Sequence, residues 1–236
     1  YRSPLYIQRR EVIRSKIEEG EYPPGTAIPS ENQLAETDGL NRISVRSALA
    51  ALENEGLIKV VQGKGMFVNG PKTERDLESL GGYRHTMRER GKDASTRVLI
   101  KAVRDAGPYY ARLLELSSQD PVWYIRRVDY ANGEALALEE IYIPYDLIPG
   151  LGDIDIGLFS IYDAYTWNGI QLDVANQVLR ITTLEPSFSK LIDLSPGQAV
   201  MEFSYQVRDT GGRVIEFARN FIRGDRTEFI VHYSNH

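Results

Sequence analysis

Along the first 70 residues the apolar positions recur at helical intervals three times and then fall into short strand-like runs. Leu5, Ile7, Val12, Ile13 and Ile17 are spaced for a helix that Pro4 opens and Gly20 ends. After the stiff connector "YPPGTAIP", Ser30 and Gln33 form the reciprocal capping pair of a second helix, "ENQLAETDG", which Gly39 stops. Asn41 caps a third, "RISVRSALAALENEG", with Val45, Ala48, Leu49 and Leu52 on one face. Two apolar runs, "LIKVV" and "MFVNG", are joined by "QGKG", which predicts a β-hairpin. Three helices with a glycine turn between the last two, followed by a hairpin, make a winged helix-turn-helix.

Residues 71–80 lie in a polar junction, so the pattern divides the chain into a helix-turn-helix domain (1–70), a linker (71–80) and a second domain (81–236). "LESLGGYRHTMRERG" reads as helical. Beyond it come alternating runs: "TRVLIKAV", "VWYIRRVDYA", "LALEEIYIP", "LDVANQVLRITTL", "AVMEFSYQVRD" and "VIEFARNFIRG". The dipeptides "NG" at 132–133 and "GG" at 211–212 supply turns, and helical pieces interrupt the strands near 108–116, 159–168 and 186–193. These predict an α+β domain, a mixed antiparallel sheet with helices on one face. The order of its strands does not follow from the pattern.

Composition removes several function classes. Cysteine is absent and only three histidines occur, at 85, 232 and 236, so a disulfide framework, a thiol nucleophile or a histidine-built metal site is unsupported. No metal and no cofactor is expected. No apolar run approaches the ~18 residues of a membrane span, and the first residues lack a signal peptide's apolar core. A cytoplasmic protein with no membrane partner is the expectation. The net charge of −5 does not advertise a nucleic-acid binder. Residues 1–70 carry nine basic against nine acidic side chains, so positive charge must act locally.

The segments "PLYIQRREVIRSKIEEGEYPPGTAIPSENQLAE" and "NRISVRSALAALENEGLIKVVQGKGMFV" resemble the DNA-binding domain of GntR-family transcription regulators. "MRERGKDASTRVL", "IRRVDYANGEALALEEIYIP", "LFSIYDAY" and "LSPGQAVMEFSYQVRDTGGRVIEFARNFIRGD" resemble the effector-binding domain of the family's HutC branch, a fold shared with chorismate lyase. The resemblance implies a ligand-responsive repressor, a homodimer on a palindromic double-stranded DNA operator, released by a small-molecule effector. In a helix-turn-helix the start of the second helix faces base edges, here Arg42, Ser44 and Arg46. The resemblance assigns base or phosphate contacts to Arg42 and Arg46, and places Ser30 at the DNA backbone. At the position of Ser44 the family more often has Thr.

The "QGKG" tip holds one cation between two glycines, suited to a phosphate, a nucleic-acid backbone or water. A nucleotide-binding P-loop needs Ser or Thr after the Lys and then a helix, whereas Gly65 and a strand follow Lys64. Gly63, Lys64 and Gly65 therefore read as a wing tip beside the DNA minor groove.

For the effector, the resemblance points to Arg127, Glu139, Ser160, Tyr162 and Glu216, with Ser95 and Thr96 at a segment that often supplies donors to an anionic group. Asp129 stands where sugar-phosphate binders of the family commonly have a second Arg, and Ile222 where a Tyr is frequent. A carboxylate at 129 would repel a phosphate. The effector expected is a polar metabolite with one anionic group plus hydroxyl or amino groups. In the plainer alternative Arg127 and Asp129, two apart on one strand, pair with each other. Two other functions stay open: a chorismate-lyase-like enzyme using Glu139 and Glu216, and a dimeric DNA-binding protein that responds to no ligand.

Overall fold

The computed structural model describes residues 4–39, 41–71 and 94–227. Most of the expected linker and the helix expected after it lie outside them. The chain packs as two units, residues 1–74 with 150–169, and residues 75–149 with 170–236.

In the first unit, α1 (Leu5–Glu18), β1 (Ala27–Ile28), α2 (Glu31–Asp38), α3 (Arg42–Asn54), β2 (Ile58–Val61) and β3 (Gly65–Val68) follow in order. The local signals act as the sequence suggests. The Ser30 backbone N–H donates to Gln33 Oε1 at 2.8 Å, and the Ser30 hydroxyl accepts from the Gln33 N–H at 3.4 Å. Asn41 Oδ1 accepts from the Ile43 N–H at 2.6 Å. Ile13, Leu34, Val45, Leu49, Leu52, Ile58 and Val68 form the core, each burial worth about 1.5–3 kcal/mol. The expected apolar stripe of α1 is narrower than its sequence implies, for Leu5 and Val12 remain exposed while Ile13 is buried. β3 is the middle strand of the order β1-β3-β2, and the β2–β3 hairpin runs from Ile58↔Val68 to Val61↔Gly65.

Residues 150–169, which chain order sets amid the second domain, pack with this unit. They include the short helix Ile161–Trp167. Trp167 lies so close to Gly70 that a methyl group there would overlap its indole, and Gly25 is similarly crowded. Phe159 contacts both Phe67 and Trp167 edge-on, at centroid distances of 6.4 and 5.1 Å.

The second unit is a six-stranded sheet of β4 (Ala94–Asp105), β5 (Pro121–Ala131), β6 (Glu134–Pro144), β7 (Leu172–Thr183), β8 (Ala199–Asp209) and β9 (Val214–Ile222). Its order is β4-β5-β6-β9-β8-β7, and each pairing is antiparallel. Two meanders thus meet at β6 and β9. The β5–β6 turn uses Asn132 and Gly133, both at positive φ (51° and 79°), the backbone a two-residue hairpin requires. Helix α4 (Gly107–Leu114) covers one end of a sheet face through Leu114, Val122, Tyr124 and Phe217. The turn Pro186–Ile192 covers the other end through Val128, Leu138, Ile192 and Phe221. Helices on one face, as expected, leave the alternate residues of every strand for the opposite face.

Candidate functional site

Helix α3 buries Val45, Ala48, Leu49 and Leu52, which turns Arg42, Ile43, Arg46 and Ser47 to solvent and leaves Ser44 half-buried at the edge of that face. The Arg46 guanidinium bonds Glu31 with two donors, Nε to Oε1 at 2.9 Å and Nη2 to Oε2 at 3.1 Å. That hydrogen bonding holds the Glu31 carboxyl below its ordinary pKa. The first turns of α2 and α3 are thereby tied, with Ser30 exposed at the start of α2. Ile43 escaped the sequence reading. It is 74% exposed, and an isoleucine at the second position of a capped helix gives no pattern signal until the burial of its neighbours is known.

At the hairpin tip Gly63 and Gly65 have φ of 76° and 121°, with open space where a side chain would stand. Backbone conformation, not crowding, requires glycine there. The Lys64 N–H donates to the Val61 carbonyl at 3.0 Å, and its Nζ lies 3.3 Å from Asp155 Oδ2. Asp155 is held in turn: its Oδ1 accepts the N–H groups of Gly157 and Leu158 at 2.9 and 3.1 Å. Two more expected residues belong to this unit. Ser160 caps Ile161–Trp167 in a reciprocal pair with Asp163 (2.9 and 2.8 Å), and Tyr162 packs edge-on to Tyr165 at 6.2 Å.

Apart from Ser95, the second unit gathers the remaining candidates on the sheet face opposite α4. Register sets Arg127, Glu139, Asn220 and Phe203 in one row across four strands, with Thr96, Asp129 and Ala137 in the next. Arg127 Nε donates to Glu139 Oε2 at 2.6 Å, and the Tyr205 hydroxyl donates to Glu139 Oε1 at 2.7 Å. Thr96 Oγ1 donates to Asp129 Oδ1 at 2.6 Å. Asp129, Glu139, Glu216 and Asn220 are all buried. Burial opposes the Arg127 cation, but the charges of Glu139 and Asp129 outweigh it and hold the guanidinium above its ordinary pKa. Ser95 does not join them, because it pairs with Tyr130 one residue out of phase and faces the other side, exposed.

Asn220 and Tyr205 were not anticipated. Asn220 stands four residues after Glu216 on β9 and so shares its face, a signal that strand alternation could have supplied. Its Oδ1 is buried without a hydrogen-bond partner.

A winged helix-turn-helix in a chain that also carries a sheet domain with a buried polar face defines the class: a DNA-binding regulator with a separate sensing domain. Comparison with known proteins agrees. Residues 5–68 match the family of bacterial regulatory proteins, gntR family, and residues 89–228 match the UTRA domain. The chain belongs to the gntR family and carries a UTRA domain; it is a transcription regulator and not an enzyme. It is 32% identical to the HTH-type transcriptional repressor NagR of Bacillus subtilis (strain 168), over 98% of this chain and 94% of that one. It is 30% identical to the mannosyl-D-glycerate transport/metabolism system repressor MngR of Escherichia coli (strain K12), over 97% and 95%. The crystal structure of PhnF from Mycobacterium smegmatis shares the fold, with a TM-score of 0.62 at 22% identity, covering 96% of this chain and 99% of that one. Among the described residues no helix is long and apolar enough to cross a membrane.

Proposed function

We propose that the protein is a homodimeric cytoplasmic repressor of a palindromic operator, released when a hydroxylated or amine-bearing metabolite with one anionic group occupies the polar face of its UTRA sheet. The carrying observation is the Asn220 amide oxygen, buried with no donor beside Glu139. An orphaned buried acceptor is unfavourable by ~1–3 kcal/mol, and a ligand hydroxyl or amine would satisfy it. Asp129, Glu139 and Glu216 outnumber Arg127 on that face, so a phosphate dianion meets net repulsion there. The relative MngR is named for mannosyl-D-glycerate, a hydroxyl-rich compound with a single carboxylate and so of the same chemical class.

At the DNA end, Arg42, Arg46 and the adjoining Ile43 and Ser44 would read the major groove, Ser30 would meet a phosphate, and Gly63, Lys64 and Gly65 would form the wing contact. One such unit reads few bases, so two copies on a palindrome are needed for tight binding. β7 supports pairing. It is an edge strand of 12 residues with Val174, Val178, Leu179 and Ile181 exposed, the kind of edge a second copy covers.

The test joins thermal unfolding to a gel shift on DNA upstream of the protein's own gene, over a panel of sugar acids, amine conjugates and hexosamine 6-phosphates. Sugar acids or amine conjugates should stabilise the chain and release the DNA. Strong stabilisation by hexosamine 6-phosphates alone would overturn the effector assignment.

A further inference from the structure

The helix-covered face of the second unit has a charged row between its two apolar clusters. Register aligns Arg126, Glu140, Arg219 and Ser204 across β5, β6, β9 and β8. Arg126 Nη2 donates to Glu140 Oε1 at 3.0 Å, Arg219 Nη2 to Glu140 Oε2 at 2.7 Å, and the Tyr124 hydroxyl to Oε1 at 2.6 Å. Arg219 also reaches the Tyr110 hydroxyl at 3.1 Å. A third guanidinium, Arg104, lies 3.9 Å over the Tyr124 ring and donates to the Tyr142 hydroxyl at 3.0 Å.

Among the described residues, one carboxylate therefore bonds two guanidiniums of this row, while the third, Arg104, is exposed and bonds a tyrosine instead. A structural ion pair accounts for one of them. Glu202, the other acidic residue on the strands of this face, stands opposite Phe221 on β9 and opposite Arg180 on β7, and among the described residues no ion pair joins it to Arg126, Arg219 or Arg104. The arginines are not simply solvated. Arg126 stacks on Phe188 at 4.3 Å, and the Nε atoms of Arg126 and Arg219 are buried without an acceptor. Yet the heads remain reachable, with side chains 21% and 28% exposed, while Glu140 is 3% exposed. Partly buried cations in excess, with spare N–H donors in forked geometry and aromatic walls, are suited to a small oxyanion.

We infer that the Arg126–Glu140–Arg219 row, with Arg104, is an anion site for a phosphate or phosphate-monoester group, separate from the effector face on the other side of the sheet. The excess of two positive charges selects a dianion over a monocarboxylate. Glu140 holds the two guanidiniums in place, its Oε1 accepting two hydrogen bonds and its Oε2 one, and the outer N–H groups of both arginines are left for the ligand.

The probe is inorganic phosphate, added to the full chain without DNA or effector, with chloride at matched ionic strength as the control. Isothermal titration and thermal unfolding should both show saturable binding. Arg126→Gln and Arg219→Gln each leave Glu140 one guanidinium, so each should fold and lose at least about tenfold in phosphate affinity, the scale of one charge-assisted hydrogen bond. Absence of saturable binding, or equal affinity in both glutamine variants and the wild type, overturns the site. Neither result bears on the effector face, which this titration leaves empty.

Discussion

Lys64 Nζ lies 3.3 Å from Asp155 Oδ2, across 91 residues of sequence. The cation of the wing tip is therefore already matched by an anion, and the DNA contact proposed for Lys64 would exchange one for the other.

Asp155→Asn removes that competing charge and keeps the oxygen that accepts from Gly157 and Leu158. An exposed pair of this kind is worth about 0.2–1 kcal/mol. Operator affinity should rise by up to about fivefold, read by fluorescence anisotropy at low salt. Unchanged affinity would mean that Asp155 does not restrain the wing.

Lys64→Ala separates two jobs for the wing. If Lys64 meets only phosphate, binding weakens on every sequence alike and the salt slope falls by about 1. A change of preference at one base beside the half-site would instead show that it reads the groove.

Ile43 should carry specificity without carrying stability. Its exposure predicts that Ile43→Ala moves the unfolding free energy by less than ~0.5 kcal/mol. Loss of contact with a thymine methyl should weaken the preferred operator by about 1 kcal/mol while sparing non-specific DNA. Competition binding with single-base operator variants checks this.

The Arg127–Glu139 pair should be asymmetric under mutation. Glu139→Ala leaves a buried guanidinium short of its partner and should destabilise by about 3–5 kcal/mol. Joint replacement, Arg127→Met with Glu139→Leu, should recover most of that loss, because two desolvated charges are removed together. Urea unfolding of Arg127→Met, of Glu139→Leu and of the double variant measures the coupling.

Glu140 makes the second unit acid-sensitive in a defined direction. Burial opposes its ionisation, but hydrogen bonds from Tyr124 and Arg126 and the charges of the two arginines win, so its folded pKa lies below the ordinary 4.5. A depressed carboxylate contributes stability above the unfolded value and loses it as pH falls toward the folded one. The gap between wild type and Glu140→Gln should be widest above pH ~5 and shrink below about 4.5. The same network, after burial, pushes the Tyr124 hydroxyl up to about 12, so alkaline titration by ultraviolet absorbance should leave that tyrosine protonated at pH 10.

The sequence by itself determined the elements, because their signals are local. The Ser30–Gln33 capping box, the Asn41 cap, the paired glycines of the wing and the "NG" turn each act within a few residues, and each formed as read. The alternation of β5 likewise set Arg127 and Asp129 on one face before any strand order was known. Tertiary structure decided the rest. Which strands meet at β6–β9, that Asn220 completes the Glu139 row, that Ser95 faces away and that residues 150–169 pack on the wing all depend on pairings between distant segments. The charges show the difference most plainly. Lys64 and Arg46 look free in sequence, since a side chain's partner is set by where the backbone places a carboxylate, and Asp155 and Glu31 are brought to them only by folding.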